Sequence, residues 1–279
     1  MNPWKIALVQ TDCRFADVPA NRAMIRGKLR EAAKQRARLV VFPECILTGY
    51  GFASADEAWP CAEKLSGPTS VEIAEVCNEL GVWCIYGMLE CGGDRFFNAA
   101  ALVGPDGSIR SYRKVHLPTM GVDRFAAPGD RPFAVHELGG LNLGINICYD
   151  GSFPESSRVL TLLGADLIVL PTNWPSSVVL PLTQARAIEN HVYYAAVNRV
   201  GEERGFRFIG CSRLVDFNGN LMVSSPDDRE EILFAEIEPH KARDKRVVIK
   251  AGEFEVNRVG DRRPEMYDEL VRDSAMRSR

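Results

Sequence analysis

No apolar run in this chain reaches the roughly 18–20 residues that a membrane-crossing helix needs, so no membrane partner is expected. No Lys/Arg-rich block stands out, and the net charge of −3 with a pI near 5.9 removes the electrostatic case for binding nucleic acid. Met1-Asn2-Pro3-Trp4-Lys5 enters a strand pattern almost at once and leaves no room for a secretory signal, which makes the cytoplasm the expected compartment. Linkers, low-complexity segments and convincing repeats are also lacking. The expectation is one domain over residues 1–279, with residues from about 250 to 279 as a polar tail that packs on a neighbouring subunit or stays mobile.

Eight cysteines are present, at 13, 45, 61, 77, 84, 91, 148 and 211. In a chain of this length without an export signal they do not suggest a disulfide framework. Cys77, Cys84 and Cys91 recur every seven residues, but that is not the spacing of a zinc site. The segment passes from helix to strand, so the three do not share a face and read as small buried hydrophobes.

Strand-like and helical runs alternate. Lys5–Gln10, Leu39–Phe42, Val82–Leu89, Phe97–Gly104 and Ile109–Val115 read as strands, with helices over Pro19–Arg36 and Pro68–Leu80. Phe133–Leu138 and Leu141–Ile147 pair across Gly139-Gly140. Helices over Pro154–Leu163 and Leu182–His191 flank a buried strand at Leu167–Leu170. Strands follow at Tyr193–Val200, Arg207–Asp216 and Ile232–Ile237, with Phe217-Asn218-Gly219-Asn220 as a hairpin turn. Only Glu265–Val271 shows helical periodicity in the tail. The order defines an α/β fold of layered sheets and helices.

Three of these runs end in reactive side chains. Leu39-Val40-Val41-Phe42-Pro43 leads to Glu44, Ser111-Tyr112-Arg113 to Lys114, and Leu141–Ile147 to Cys148, where Tyr149-Asp150-Gly151 turns the chain. A carboxylate, an ammonium and a thiol, each following a strand, can serve as base, electrostatic stabiliser and nucleophile. His116 lies close to Lys114, but its alternation with that residue does not place it against Cys148; a packing or hydrogen-bonding role is expected. Gly139–Gly144 precedes a strand, not a helix, and so is not a phosphate loop.

Val41-Phe42-Pro43-Glu44, Tyr112-Arg113-Lys114-Val115-His116-Leu117-Pro118 and Asn146-Ile147-Cys148-Tyr149-Asp150 resemble the three signature segments of the nitrilase, or carbon–nitrogen hydrolase, superfamily. Gln10, Leu47–Tyr50, Pro128-Gly129-Asp130, Phe153-Pro154-Glu155, Gly164-Ala165-Asp166, Asn173-Trp174-Pro175, Ala185–Asn190, Val197-Asn198-Arg199 and Arg262-Arg263-Pro264 extend the likeness over almost the whole chain. The resemblance implies a four-layer α-β-β-α sandwich that forms homodimers or larger homo-oligomers through its helical face. It implies Cys148 as nucleophile, Glu44 as general base and Lys114 as stabiliser of the tetrahedral intermediate, with the Tyr149 backbone N–H completing the oxyanion site. No metal or organic cofactor is required.

Many members of the superfamily place a second glutamate after the lysine. Here Asp123 is the nearest acid; it is either that second carboxylate, one methylene shorter, or a surface Asp paired with an Arg. Tyr50, Asn173 and Trp174 follow strand ends, where loops carry specificity, and are candidates for the substrate pocket; Arg124 and Arg199 are possible anchors or ion-pair residues. Tyr149-Asp150 after the nucleophile resembles amidase-type members more than nitrilases. The expected reaction is therefore hydrolysis of a small aliphatic amide to carboxylate and ammonia through a thioester, with Lys114 favouring the Cys148 thiolate. Hydrolysis of an N-carbamoyl amine or amino acid is the alternative, followed by nitrile hydrolysis or a non-catalytic scaffold on the same fold.

Overall fold

The computed structural model describes residues 3–272. In the first half, β1 (Trp4–Gln10), α1 (Val18–Lys34), β2 (Leu39–Val41), the short α2 (Ala55–Ala58), α3 (Pro68–Leu80), β3 (Trp83–Cys91), β4 (Phe96–Val103) and β5 (Ile109–Arg113) follow one another. The second half contains β6 (Val135–Glu137), β7 (Asn142–Ile145), α4 (Pro154–Leu162), β8 (Leu167–Thr172), α5 (Leu180–Asn190), β9 (Tyr193–Asn198), a hairpin of β10 (Val200–Glu203) and β11 (Phe206–Ile209), then β12 (Arg213–Val215) and β13 (Leu221–Ser224). The chain closes with β14 (Glu231–Ile237), α6 (Pro239–Arg243), β15 (Val247–Lys250) and β16 (Phe254–Val256).

Two six-stranded sheets result, ordered β14-β1-β2-β3-β4-β5 and β13-β12-β9-β8-β7-β6. Strand periodicity makes the layers. Ile6, Leu8, Leu39, Val41 and Ile85 of the first sheet pack against Leu143, Ile145, Leu167, Val169 and Ala195 of the second. The intervening residues Ala7, Val9, Val40 and Tyr86 face outward onto Ile25 and Leu29 of α1 and Ile73 and Val76 of α3. On the other side Ile168, Leu170 and Tyr194 face Leu160 of α4 and Ala187 of α5. Alternate residues of each central strand therefore fill two different cores, and the layers run α-β-β-α. Strands buried on both faces read as continuous apolar runs.

No repeat is legible in the sequence, yet the topology contains one. β1-α1-β2-α3-β3 is a parallel unit completed by antiparallel β4 and β5; β7-α4-β8-α5-β9 is a parallel unit completed by antiparallel β12 and β13. The two halves share strand directions, not side chains.

Some expected boundaries shift. The expected strand Tyr193–Val200 ends at Asn198, and Arg207–Asp216 is broken in two. Positive φ angles at Gly201, Gly210 and Cys211 bend the chain there, and the Asn198 side chain ties the break to Trp174 and Gly210. The tail contains the β15–β16 hairpin. In place of a helix over Glu265–Val271 there are single 3-10 turns at Pro264–Met266 and Asp268–Leu270. The last seven residues of the expected tail lie outside the described residues.

Two glycines let loops reach the ends of β2 and β5. A Cβ on Gly87 would stand 2.1 Å from Cys45 N and 2.6 Å from the Glu44 carbonyl carbon; one on Gly129 would stand 2.3 Å from Arg113 O. Gly87→Ala must push the Glu44 turn off β3. The expected cost is about 1–3 kcal/mol, read from urea unfolding. A stability equal to wild type would show that the turn yields freely.

Candidate active site

Glu44 leaves the end of β2 on a turn that is held on both sides by β3: Phe42 N donates to Ile85 O at 2.8 Å and Gly87 N to Pro43 O at 3.1 Å. Lys114 follows β5, with its backbone N–H on Asn98 O and its carbonyl accepting from Gly129 N, both at 2.8 Å. Alternation sends the neighbouring Arg113 to Glu90 and Asp130, while the Lys114 side chain turns into the protein. Cys148 opens a 3-10 turn after β7 and has a φ of 44°, a left-handed conformation that a residue with a Cβ resists. Asp150 holds this turn. It accepts from Ile147 N at 3.0 Å, Tyr112 OH at 2.8 Å and His116 N at 3.0 Å. His116 Nδ1 lies 2.7 Å from the same carboxylate and the imidazole stacks on Phe153; it serves the turn, as a hydrogen-bonding and packing residue.

The structure brings Glu44, Lys114 and Asp123 into one fully enclosed cluster. Lys114 Nζ donates to Glu44 Oε1 at 2.7 Å and to Asp123 Oδ2 at 2.6 Å. Asp123 is thus no surface residue paired with an arginine: it is 4% exposed and bonded to the lysine from the 3-10 turn Gly121–Arg124. Tyr50 OH also donates to Asp123, at 2.9 Å, and Tyr50 is 2% exposed. Its hydroxyl is spent on the carboxylate, so Tyr50 acts on the site through Asp123. One further residue, absent from the sequence reading, completes the cluster. Asn98 Nδ2 donates to Glu44 Oε1 and to Asp123 Oδ1, both at 2.8 Å. Its only signal in the sequence is a polar residue inside the apolar run Phe96–Val103.

Burial dominates the electrostatics. It would depress the Lys114 ammonium, but Asp123 and Glu44 outweigh it and hold the charge firmly on. Burial, aided by Asp123, raises the Glu44 carboxyl above its ordinary value despite Lys114 and Asn98. Glu44 Oε1 carries both donors, while Oε2 is buried with no partner. Cys148 is pushed up to about 12, first by burial and then by the Glu44 charge, against the opposing pull of Lys114 and of Thr172 and Asn173. The pull of Lys114 that would favour a thiolate is here opposed by burial and by the Glu44 charge. Lys114 is shared between two carboxylates.

Beyond Cys148, β8 ends in Thr172 and Asn173. Thr172 and the Asn173 backbone hydrogen-bond towards the Cys148 sulfur, while both side-chain polar atoms of Asn173 are buried without partners. Trp174 is 5% exposed and packs among Leu160, Leu170 and Tyr194 beside Cys148. Its backbone is pinned by Asn198. Tyr149 is exposed, with its ring edge-on to Phe153. Arg199 is committed to Asp12 and Glu203, and Arg124 turns onto the carbonyls of Gly121 and Phe52. A surface cavity of about 520 Å³ lined by Asp12, Cys13, Arg14 and Glu230 includes none of the clustered residues.

A helix-flanked pair of sheets that delivers a carboxylate, a lysine and a cysteine from three strand ends defines a class of hydrolase. The sequence model of the carbon-nitrogen hydrolase family matches residues 5–247, and the chain belongs to that family. It is similar to a nitrilase of Pyrococcus abyssi, 38% identical over 94% of this chain and 98% of the relative. It is also similar to an (R)-stereoselective amidase of a Pseudomonas species, 34% identical over 80% of this chain and 81% of the relative. Among solved structures, an amidase from a Nesterenkonia species superimposes with a TM-score of 0.79 at 25% identity, covering 96% of both chains. The protein is a carbon–nitrogen hydrolase of the amidase and nitrilase superfamily.

If the thiol rests protonated, wild-type protein will show no Cys148-dependent thiolate absorbance in the ultraviolet between about pH 6 and 9, measured as a difference from Cys148→Ala. A step near neutrality would show that Lys114 wins over burial and Glu44.

Proposed function

We propose that this hydrolase cleaves small, uncharged aliphatic amides to carboxylate and ammonia, with Cys148 as nucleophile, Glu44 as general base and Lys114 as oxyanion stabiliser. The observation that carries the reading is the free Glu44 Oε2. It is a buried carboxylate oxygen with no partner, on a side chain whose other oxygen is fixed by two donors and whose charge acts directly on the thiol.

The steps follow from this arrangement. As Cys148 Sγ attacks the amide carbon, Glu44 Oε2 accepts the thiol proton, because a thiol this far from ionising reacts only if the proton leaves as the C–S bond forms. The carbonyl π electrons move to oxygen, where Lys114 Nζ and the Tyr149 N–H offset the new charge; each such donor contributes about 3–4 kcal/mol. On collapse the C–N bond breaks, and the proton held on Glu44 passes to the departing nitrogen as ammonia. The thioester remains. Glu44 then takes a proton from water as its oxygen attacks the thioester carbon. The C–S bond breaks, the sulfur recovers the proton, and the carboxylic acid is released.

Substrate size and charge are supported by the walls. The base and the lysine are fully enclosed, Asn173 and Trp174 are nearly so, and Arg199 has no charge to spare for a substrate carboxylate. The unpartnered Asn173 amide suits the polar end of an amide group. Similarity to an (R)-stereoselective amidase favours the same class.

Two measurements test this. Ammonia release across aliphatic amides, N-carbamoyl compounds and nitriles should be fastest for the amides and fall at least about a thousandfold in Cys148→Ala. Faster release from N-carbamoyl compounds or nitriles would replace the substrate class, and no release by folded, reduced protein would leave the scaffold reading. The base must be ionised to work, so kcat/KM should fall as pH drops through the raised Glu44 pKa. The acid limb should therefore lie above the ordinary glutamate range; a limb at or below that range would remove Glu44 from the role.

A further inference from the structure

We propose that Asn98 is a positioning residue for the base: it bridges the two carboxylates of the site so that both stay ionised side by side and only Glu44 Oε2 is left to take a proton. The inference rests on the reading of Glu44 as the base.

The geometry is a closed ring. Lys114 Nζ joins Glu44 Oε1 to Asp123 Oδ2, and Asn98 Nδ2 joins Glu44 Oε1 to Asp123 Oδ1. One bridge is charged and the other neutral. An amide nitrogen has two hydrogens, and here each goes to a different carboxylate. The Asn98 orientation is set independently, because Oδ1 accepts from Cys45 Sγ at 3.4 Å. A flipped amide would aim its oxygen at two anions. The backbone joins in: Lys114 N donates to Asn98 O, so one residue of β4 touches all three ionisable members of the cluster. Asn98 is fully buried.

Two carboxylates brought together out of water share a proton unless donors keep them apart. Lys114 supplies one positive charge against two negative ones, so the second bridge decides the outcome. Without Asn98, Asp123 Oδ1 and Glu44 are left with one donor fewer each, and a proton shared between them occupies the base at neutral pH. The Asn98 amide also draws Glu44 Oε1 into the ring, which leaves Oε2 as the oxygen without a partner.

Asn98→Leu is close to isosteric and removes both donors; Asn98→Ser keeps a single donor if the leucine variant does not fold. The readout is the pH dependence of Cys148 alkylation by iodoacetamide, which requires proton transfer to Glu44 but no turnover, together with kcat/KM on an amide. The expected result is an acid limb moved up by about one pH unit, with a loss of about tenfold at neutral pH. In an Asp123→Asn background, where the second anion is gone, the same Asn98 substitution should move the limb much less. An unmoved limb with evenly reduced rates would make Asn98 a merely structural residue. An equal shift in the Asp123→Asn background would overturn the bridging role. If the alkylation limb moves as expected while wild-type enzyme hydrolyses no amide, the bridge stands and the substrate reading fails.

Discussion

A lysine enclosed with two carboxylates is the constraint around which this site is built. Removing an ammonium from water is affordable only when opposite charge and hydrogen bonds replace its hydration. Lys114 obtains both from Glu44 and Asp123. The arrangement sets one ammonium between two carboxylates, and the neighbouring groups are placed around it. Asn98 and Tyr50 place neutral donors on the carboxylates. Burial first, and then the Glu44 charge, push the Cys148 thiol up.

The sandwich makes such a cluster possible because its parts come from elements that the cores already hold in place. Glu44 ends β2 in the middle of the first sheet, Cys148 follows β7 in the second, and Asn98 and Lys114 sit on neighbouring strands at one edge of the first. The inter-sheet core sets the distance between the halves. Lys114 Nζ stands 2.7 Å from the Glu44 carboxylate and 2.6 Å from that of Asp123. Asp123 is the one member supplied by a connection, and it needs Tyr50 as a further tether. Tyr50 is itself fixed: its backbone N–H and that of Gly51 donate to Glu203, which pairs with Arg199. A buried ion pair at the end of β9 thus supports the acid that supports the lysine.

Apolar runs long enough to be buried made the central strands of both sheets readable, and the glycine and proline signals marked most turns. Glu44, Lys114 and Cys148 stood out because each ends such a run within a recognisable segment. What escaped reading was set by contacts between distant positions. The break at Asn198 depends on Trp174 and Gly210, which no local pattern announces. Asp123 was ambiguous because its neighbours in sequence suit a surface turn, while its partners are Lys114, Asn98 and Tyr50. Asn98 was hidden because one polar residue in an apolar strand is more often a tolerated exception than a bridge. The repeated β-α-β-α-β unit was invisible for a related reason: strand direction and crossover order recur, but the side chains that fill each core do not.

The upward push on the Cys148 thiol also bears on the role proposed for the free oxygen of Glu44. A standing thiolate would be nucleophilic at all times and open to oxidation and alkylation. In the proposed reaction the sulfur becomes nucleophilic only as Glu44 takes its proton, and the same carboxylate then gives that proton to nitrogen and later takes one from water. A carboxylate held too low would bind the proton too weakly to deliver it; one shared with Asp123 would already be occupied. Burial raises Glu44, while Lys114 and Asn98 draw it back, an opposition that the proposed role as base and acid in turn requires. On that proposal, the left-handed Cys148 turn and the ring of donors are two parts of one arrangement, the first placing the sulfur by backbone geometry and the second leaving one carboxylate oxygen to act on it.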